Sequence, residues 1–373
     1  MSHVEEINDL GRLDDYRLLW NALWPETPGA SFFHSLDWLR TFWRHFGDGQ
    51  RLRVLVVHGP ERPLGILPLV VRTEKTRVGR LRVLNYPLHD WGTFYGPIGP
   101  NPTATLLAGL RHVRRSPRDW DLLDLRWVDR HGVDHGRTPT AMQQVGLPCR
   151  PQAWAQAAMV ELTGSWEEYW QGRPKKFRHN AERCRRRLAE RGKVELVRYR
   201  PEGSAYGDDD PRWDLYDACL RIAKSSWQGA STSGTTLCHG CVCDYLRDTH
   251  LAAVRAGAAD LCLLMLDGRP IAFIYHYQYQ GRVYGLRKGH DREFACFGPG
   301  IVLQQMVLEN SFRRRDCLYD MGVGSLGVKR HWQTTLAASY RYTHFPLSSP
   351  RTQLLRMKRW LVERFAGPQV ACA

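Results

Sequence analysis

The chain has 373 residues, and 53 Lys and Arg against 38 Asp and Glu give it a net charge of +15. A chain of this length is expected to form two domains rather than one core, and its ordinary apolar content of 43% excludes a disordered polymer. No apolar run reaches membrane-spanning length. The positive balance favours an anionic partner, such as nucleotide phosphates, RNA or an acidic membrane surface.

The first residues, Met1 to Glu6, are polar and acidic, with no basic segment leading into an apolar one, so no secretory signal is expected. Ten cysteines without regular spacing imply reduced thiols and a cytoplasmic protein. In chain order, Ser35 to Trp43 has helical periodicity with Ser35 as its cap. Leu52–His58 and Leu64–Arg72 read as a hairpin turning at Glu61-Arg62-Pro63, and Asp121–Trp127 as a further strand. Trp166 to Trp170 precedes a basic segment from Arg173 to Gly192, helical after Pro174 and ended by Gly192. That segment is either a solvated helix face or a phosphate-contacting one. Gly203 to Pro211 is a polar loop. Cys238-His239-Gly240-Cys241-Val242-Cys243 reads as a helix start with packed thiols or as half of a metal site, without a clear second ligand pair; no metal is expected.

Ala259–Leu266 and Ile271–Tyr279 form a second hairpin around Asp267-Gly268-Arg269-Pro270. Its Pro270-Ile271-Ala272-Phe273 echoes Pro63-Leu64-Gly65-Ile66, a faint internal repeat. A third strand, Gly281–Leu286, leads into Asp291 to Gly300 and then an amphipathic helix through Leu308. Phe297-Gly298-Pro299-Gly300-Ile301 reads as an ordinary turn or as an anion cradle. The amides of a helix's first turn lack intrahelical acceptors, and glycine admits a phosphate to the backbone. Cys317–Gly322 ends a further strand. Gln353–Phe365 is a basic amphipathic helix that packs on the body or touches a membrane surface peripherally.

Four segments together resemble the GNAT acyltransferase superfamily, in its CelD/BioF2-like branch of tandem-domain proteins, related in plan to the Fem-type peptidyltransferases that use aminoacyl-tRNA. They are Phe33–Leu39; Phe177-Arg178-His179-Asn180 with Arg183, Arg185, Arg186 and Arg187; Ser226-Trp227-Gln228-Gly229 with Gly234-Thr235; and Asp291–Leu303 with Tyr319–Gly322 and Lys329–Trp332. The resemblance implies an α+β (mixed α/β) chain of two tandem GNAT-like domains, each a twisted, mostly antiparallel mixed sheet flanked by helices. The expected boundaries are 1–160, 161–347 with the acyl-donor site, and a 348–373 helix and tail. It also implies that Phe297 to Ile301 hold the pyrophosphate of acetyl-CoA or another acyl-CoA. The family carries Arg or Gln three residues before the first glycine; here that position is Ala295.

Such a reaction is direct attack of an amine on a thioester. It needs a neutral amine, a donor to the oxyanion and a proton for the thiolate, with no covalent enzyme intermediate. His276 is a candidate base on a strand where it shares a face with Gln278, or a hydrogen-bonded sheet histidine. Asp320 binds or deprotonates the ammonium, or caps a loop. Lys329 and Trp332 line the acceptor pocket by resemblance, or are a surface lysine and a core tryptophan. Trp227 is a core residue or a substrate platform, and Tyr319 or Tyr340 could protonate the thiolate. The expected activity is acyl-CoA-dependent N-acyl transfer to an amine acceptor. The alternatives are aminoacyl-tRNA-dependent transfer of the Fem type, with tRNA as partner, and a catalytically silent GNAT-like binding module.

Overall fold

The computed structural model describes residues 3–231 and 236–366. The chain divides into two compact units, one comprising the chain up to Ala157 together with the part from Ala337 onward, the other running from Ala158 to Leu336. This division differs from the sequence boundaries at 160 and 347, because the chain returns to its first unit for its last strand and last helix.

The elements in order are β1 (His3–Ile7), α1 (Arg17–Leu23), α2 (Leu36–Phe46), β2 (Arg51–His58), β3 (Pro63–Thr76), β4 (Gly79–Asn85), α3 (Pro102–Arg115), β5 (Leu122–Val128), α4 (Arg137–Gln144) and β6 (Arg150–Glu161), which passes from the first unit into the second. The second unit continues with α5 (Trp166–Gln171), α6 (Lys175–Ala189), β7 (Val194–Tyr199), α7 (Trp213–Ser225), α8 (Cys243–Arg255), β8 (Ala259–Leu266), β9 (Arg269–Tyr279), β10 (Arg282–His290), α9 (Pro299–Arg313), β11 (Leu318–Val323) and α10 (Leu326–Lys329). β12 (Thr335–His344) and α11 (Pro350–Ala366) follow. No helix among the described residues is long and apolar enough to cross a membrane.

In the first unit β1, β2, β3 and β4 are successively antiparallel, β5 lies parallel to β4, and β12 lies antiparallel to β5. In the second unit β7, β8, β9 and β10 are successively antiparallel and β11 lies parallel to β10. In each, a helix (α3 or α9) connects the two parallel strands, as a parallel crossover requires. The two units therefore repeat one plan. The echoing tetrapeptides fall on β3 and β9, the third strand of each unit.

Local chemistry sets the elements. Ser35 Oγ accepts the Trp38 amide at 3.1 Å and starts α2, whose Leu36, Leu39 and Phe42 recur at helical spacing and are buried. α3 reaches the sheet closely because Gly109 carries no side chain: a Cβ there would stand 2.7 Å from a Leu67 methyl. α8 begins at Cys243, so the thiol-rich stretch is a helix start. α11 buries Leu355 with Leu81, Val83, Leu122 and Phe345, and leaves Leu354, Met357, Leu361 and Phe365 exposed.

Each unit has one carboxylate sealed inside its sheet. In the second, Asp260 accepts from Arg198 (2.7 and 2.9 Å) and pairs with Arg200 at 2.9 Å. In the first, Asp124 accepts from Arg126 Nε (2.8 Å), Arg341 Nε (3.0 Å) and Thr343 Oγ1 (2.6 Å). Burial works to raise the Asp124 pKa, but Arg341 and Arg126 reverse this and hold it well below the usual carboxylate range. Asp124→Ala strands buried guanidinium charge, and a loss of about 3–5 kcal/mol is expected in urea unfolding. Because the folded pKa is depressed, the stabilisation is present above the ordinary carboxylate pKa of about 4 and is lost as pH falls. The gap between wild type and variant narrows in acid.

Candidate active site

β10 and β11 pair for only three residues: Arg282 with Leu318, Val283 with Tyr319 and Tyr284 with Asp320. β10 then runs on to His290 and β11 to Val323 without further pairing, so the strands part. A bulge between Gly285 and Arg287 bends β10 at this point. Two glycines permit the geometry. A Cβ on Gly285 would lie 2.9 Å from the Asp320 carbonyl oxygen, and Gly322 has φ +76° with Gly285 O 3.2 Å from its would-be Cβ.

After β10 a 3₁₀ turn, Arg292–Phe297, closes on Gly298 at φ +67°, with Pro299 first in α9. The Gly298 carbonyl takes the Ile301 and Val302 amides (3.0 and 3.3 Å), and Gly300 is exposed, with a would-be Cβ 3.7 Å from His290 Nδ1. No side chain fits at Gly298, where a Cβ would lie 2.7 Å from Cys184 Sγ. Ala295 contributes only backbone, accepting the Gly298 amide at 3.2 Å. The charge comes instead from α6. Arg187 donates to the Cys296 carbonyl at 3.0 Å and lies 5.1 Å over the Phe297 ring, with Arg191 at 5.2 Å over the same ring. Sequence reasoning singled out Arg187 only as part of a basic run. The available signal was the buried spacing Ala181, Cys184, Leu188, which places Arg187 and Arg191 together at the edge of the packed face.

Asp320 and Lys329 both bond the backbone at Gly322 and Val323, where β11 leaves β10. Asp320 is buried and its Oδ1 accepts the Gly322 amide at 2.6 Å. Lys329 Nζ donates to the carbonyls of Gly322 (2.9 Å) and Val323 (2.8 Å). Burial, then the like charge of Lys288, pulls the Lys329 pKa down to about 8, while Asp320 opposes the fall. Lys329 is thus a buried ammonium and not a surface lysine.

The remaining candidates lie elsewhere. His276 is fully enclosed, its Nε2 paired with Tyr319 Oη at 2.5 Å, and Gln304 Nε2 donates to that same hydroxyl at 3.1 Å. Burial pushes the His276 pKa down to about 4. Asp260, Cys262 and His276 lie close enough together to suggest a metal site, but Arg198 and Arg200 already neutralise Asp260, and two guanidinium groups oppose a cation there. Trp332 is a core residue, packed edge-on against Phe177 at 4.8 Å. Trp227 is 58% exposed, so its core reading fails and the platform reading stays open. Neighbouring Gln228 is buried and donates to Lys288 O at 3.1 Å. Gly234-Thr235 lies outside the described residues. Tyr340 belongs to the first unit.

Residues 175–330 match the family model described as an acetyltransferase (GNAT) domain. That segment spans α6, the Gly298 turn, Asp320 and Lys329. Among solved structures the fold is similar to FemX, at 12% identity and TM-score 0.60, covering 95% of this chain and 99% of that one. It is also similar to a conserved protein of unknown function from Bacteroides thetaiotaomicron (11%, TM-score 0.55, 92% and 100%). A third is the C-terminal domain of a putative lysylphosphatidylglycerol synthetase from Agrobacterium fabrum (11%, TM-score 0.52, 80% and 85%). At such identities the likeness is one of fold. No curated protein matches the sequence. The GNAT acetyltransferase domain model thus matches a segment that lies within the second unit, and the fold of the whole chain is similar to that of FemX.

The buried position of His276 gives a direct test of its role. His276→Gln is expected to leave turnover within a few-fold of wild type while lowering stability. A histidine kept neutral by burial contributes fully above its unfolded pKa of about 6.5 and costs stability as pH falls toward 4. Thermal unfolding between pH 7 and pH 4 should therefore show a wild-type loss that the variant lacks.

Proposed function

We propose that the second unit transfers an acyl group, acetyl in the simplest case, from acyl-CoA to an amine. The reading rests on one observation: β10 and β11 part beside the glycine-led start of α9, which Arg187 and Arg191 flank. The pyrophosphate would lie against the Phe297–Ile301 turn, where exposed Gly300 and two guanidinium groups replace the family's missing Arg or Gln. The extended arm of the donor would enter where the strands part. Asp320 would draw in the acceptor's ammonium and take its proton. The nitrogen then attacks the thioester carbon, the C–N bond forms, the C–S bond breaks, Lys329 supplies a proton to the departing thiolate, and the surplus proton on the new amide nitrogen returns to Lys329. Trp227 offers an exposed aromatic face to the acceptor. The CelD/BioF2-like branch and a cytoplasmic setting accord with this reading, the latter through the nine free cysteines of the described residues.

Calorimetric titration with acetyl-CoA and longer acyl-CoAs tests it. Binding is expected, weakened about tenfold (about 1.4 kcal/mol) by Arg187→Ala; folded protein that binds none of them overturns it. Lys329→Met is expected to lower kcat by about 10²–10³. Since Lys329 acts as its charged form, the wild-type rate should fall as pH rises above about 8, and this limb should vanish in the variant.

A second reading, transfer from aminoacyl-tRNA, draws on Lys175, Lys176, Arg183, Arg185 and Arg186, which α6 leaves exposed. It requires salt-sensitive tRNA binding that Arg183, Arg185 and Arg186 together lose on replacement by Ala. Indifference to tRNA at low salt removes it, and turnover with either donor removes a silent binding module.

A further inference from the structure

The first unit contains a cavity of its own, walled by His34, Tyr95, Pro97, Leu106, Val128 and Asp134 among others. It lies past the ends of β4 and β5 and against the first turns of α3. In the duplicated plan this is the counterpart of the place where β10, β11 and α9 meet. The chemistry is opposite in sign. No glycine-led helix start stands here, since α3 opens on Asn101-Pro102. The wall carries the carboxylates Asp129 and Asp134 together with Arg137.

The Asp134 carboxylate is only half satisfied. Asp134 is 8% exposed, and its Oδ1 accepts from Thr138 N (3.0 Å) and Thr138 Oγ1 (2.6 Å). Its Oδ2 is buried without a partner, and so are the hydroxyls of Tyr95, Tyr86 and Tyr342. Of these, Asp134 and Tyr95 line the cavity, and unpaired buried oxygens of this kind are costly and call for a donor. The other polar groups of the wall are already engaged. His34 spends Nδ1 on Ser31 Oγ at 2.9 Å, stacks on Tyr95 at 4.6 Å, and is held neutral by burial. Arg137 is turned onto the carbonyls of Val133 and Asp134.

The backbone around the cavity is strained. Trp127, bulky and buried, has φ +64°, and its carbonyl holds the Tyr95 amide at 2.8 Å. A π-helical turn spans Arg130–Asp134, followed by His135 at φ +48° and Gly136 at φ +80°. Conformations of this kind cost energy and gather at ligand sites.

We propose that this cavity is a second ligand site, which takes the ammonium head of a small amine with an apolar body. The ammonium donates to Asp134 Oδ2 and to the Tyr95 hydroxyl, and the body lies against Pro97, Leu106 and Val128. The stacked Tyr95 ring adds a favourable face for the cation. The acidic wall excludes a pyrophosphate, so the site is not a second acyl-CoA site. It stands independently of the donor reading.

The test is calorimetric titration of the whole protein, without acyl donor, using benzylamine and its neutral counterpart benzyl alcohol. Benzylamine is expected to bind at least tenfold more tightly. Asp134→Asn keeps the Oδ1 acceptor for Thr138 and should weaken benzylamine at least tenfold, with thermal unfolding confirming a folded variant. Should Asp134→Asn not fold, Tyr95→Phe removes one hydroxyl only and should weaken binding several-fold. The proposal is overturned if folded wild type binds no benzylamine, if the alcohol binds equally well, or if the folded variants bind as wild type does.

Discussion

The second unit depends on a parallel pairing that stops after three residue pairs. Parting two strands in a sheet exposes backbone donors and acceptors that must find other partners. Two side chains supply them. Asp320 takes the Gly322 amide, and Lys329 takes the Gly322 and Val323 carbonyls. The groups best placed for chemistry are thus the ones that make the opening tolerable. Gly285 and Gly322 let the strands come close before they separate, so a side chain at either position would remove the junction itself.

The duplicated plan shows how one architecture carries different side chains at its strand ends. Both units place a helix between parallel strands, and both anchor their sheets on one sealed carboxylate with arginine partners. At the strand ends they diverge. The second unit brings guanidinium groups and a left-handed glycine to the start of α9, a surface for anions. The first brings Asp134 and Tyr95, each with an unpaired buried oxygen, to one cavity wall. The sheet topology is indifferent to this choice; a few residues in the connecting loops decide it.

Much of the architecture was legible in the residues. Both hairpins, the helix after Gly298 and the thiol-rich helix start could be read because period-two alternation, turn glycines and caps act over a few neighbours. Legibility ended where partners lie far apart in sequence. His276 looked like a base because its strand alternates properly, yet Tyr319, 43 residues on, encloses it. Trp332 and Trp227 are the same residue type beside equally apolar neighbours. One is sealed by Phe177 and the other is left outside, and no local pattern separates them.

The sequence by itself determined the element types, the repeated plan, the glycine-led turn and the excess of positive charge, since each follows from local periodicity, turn chemistry or simple counting. Only the tertiary structure decided which charges matter. Arg187 reaches a turn 109 residues away, and the fold buries Lys329 beside Asp320. In the first unit it also places the unpaired oxygens of Asp134 and Tyr95 in residues that line one cavity. Burial and distance set the strength of an electrostatic interaction, and neither exists until the chain has packed.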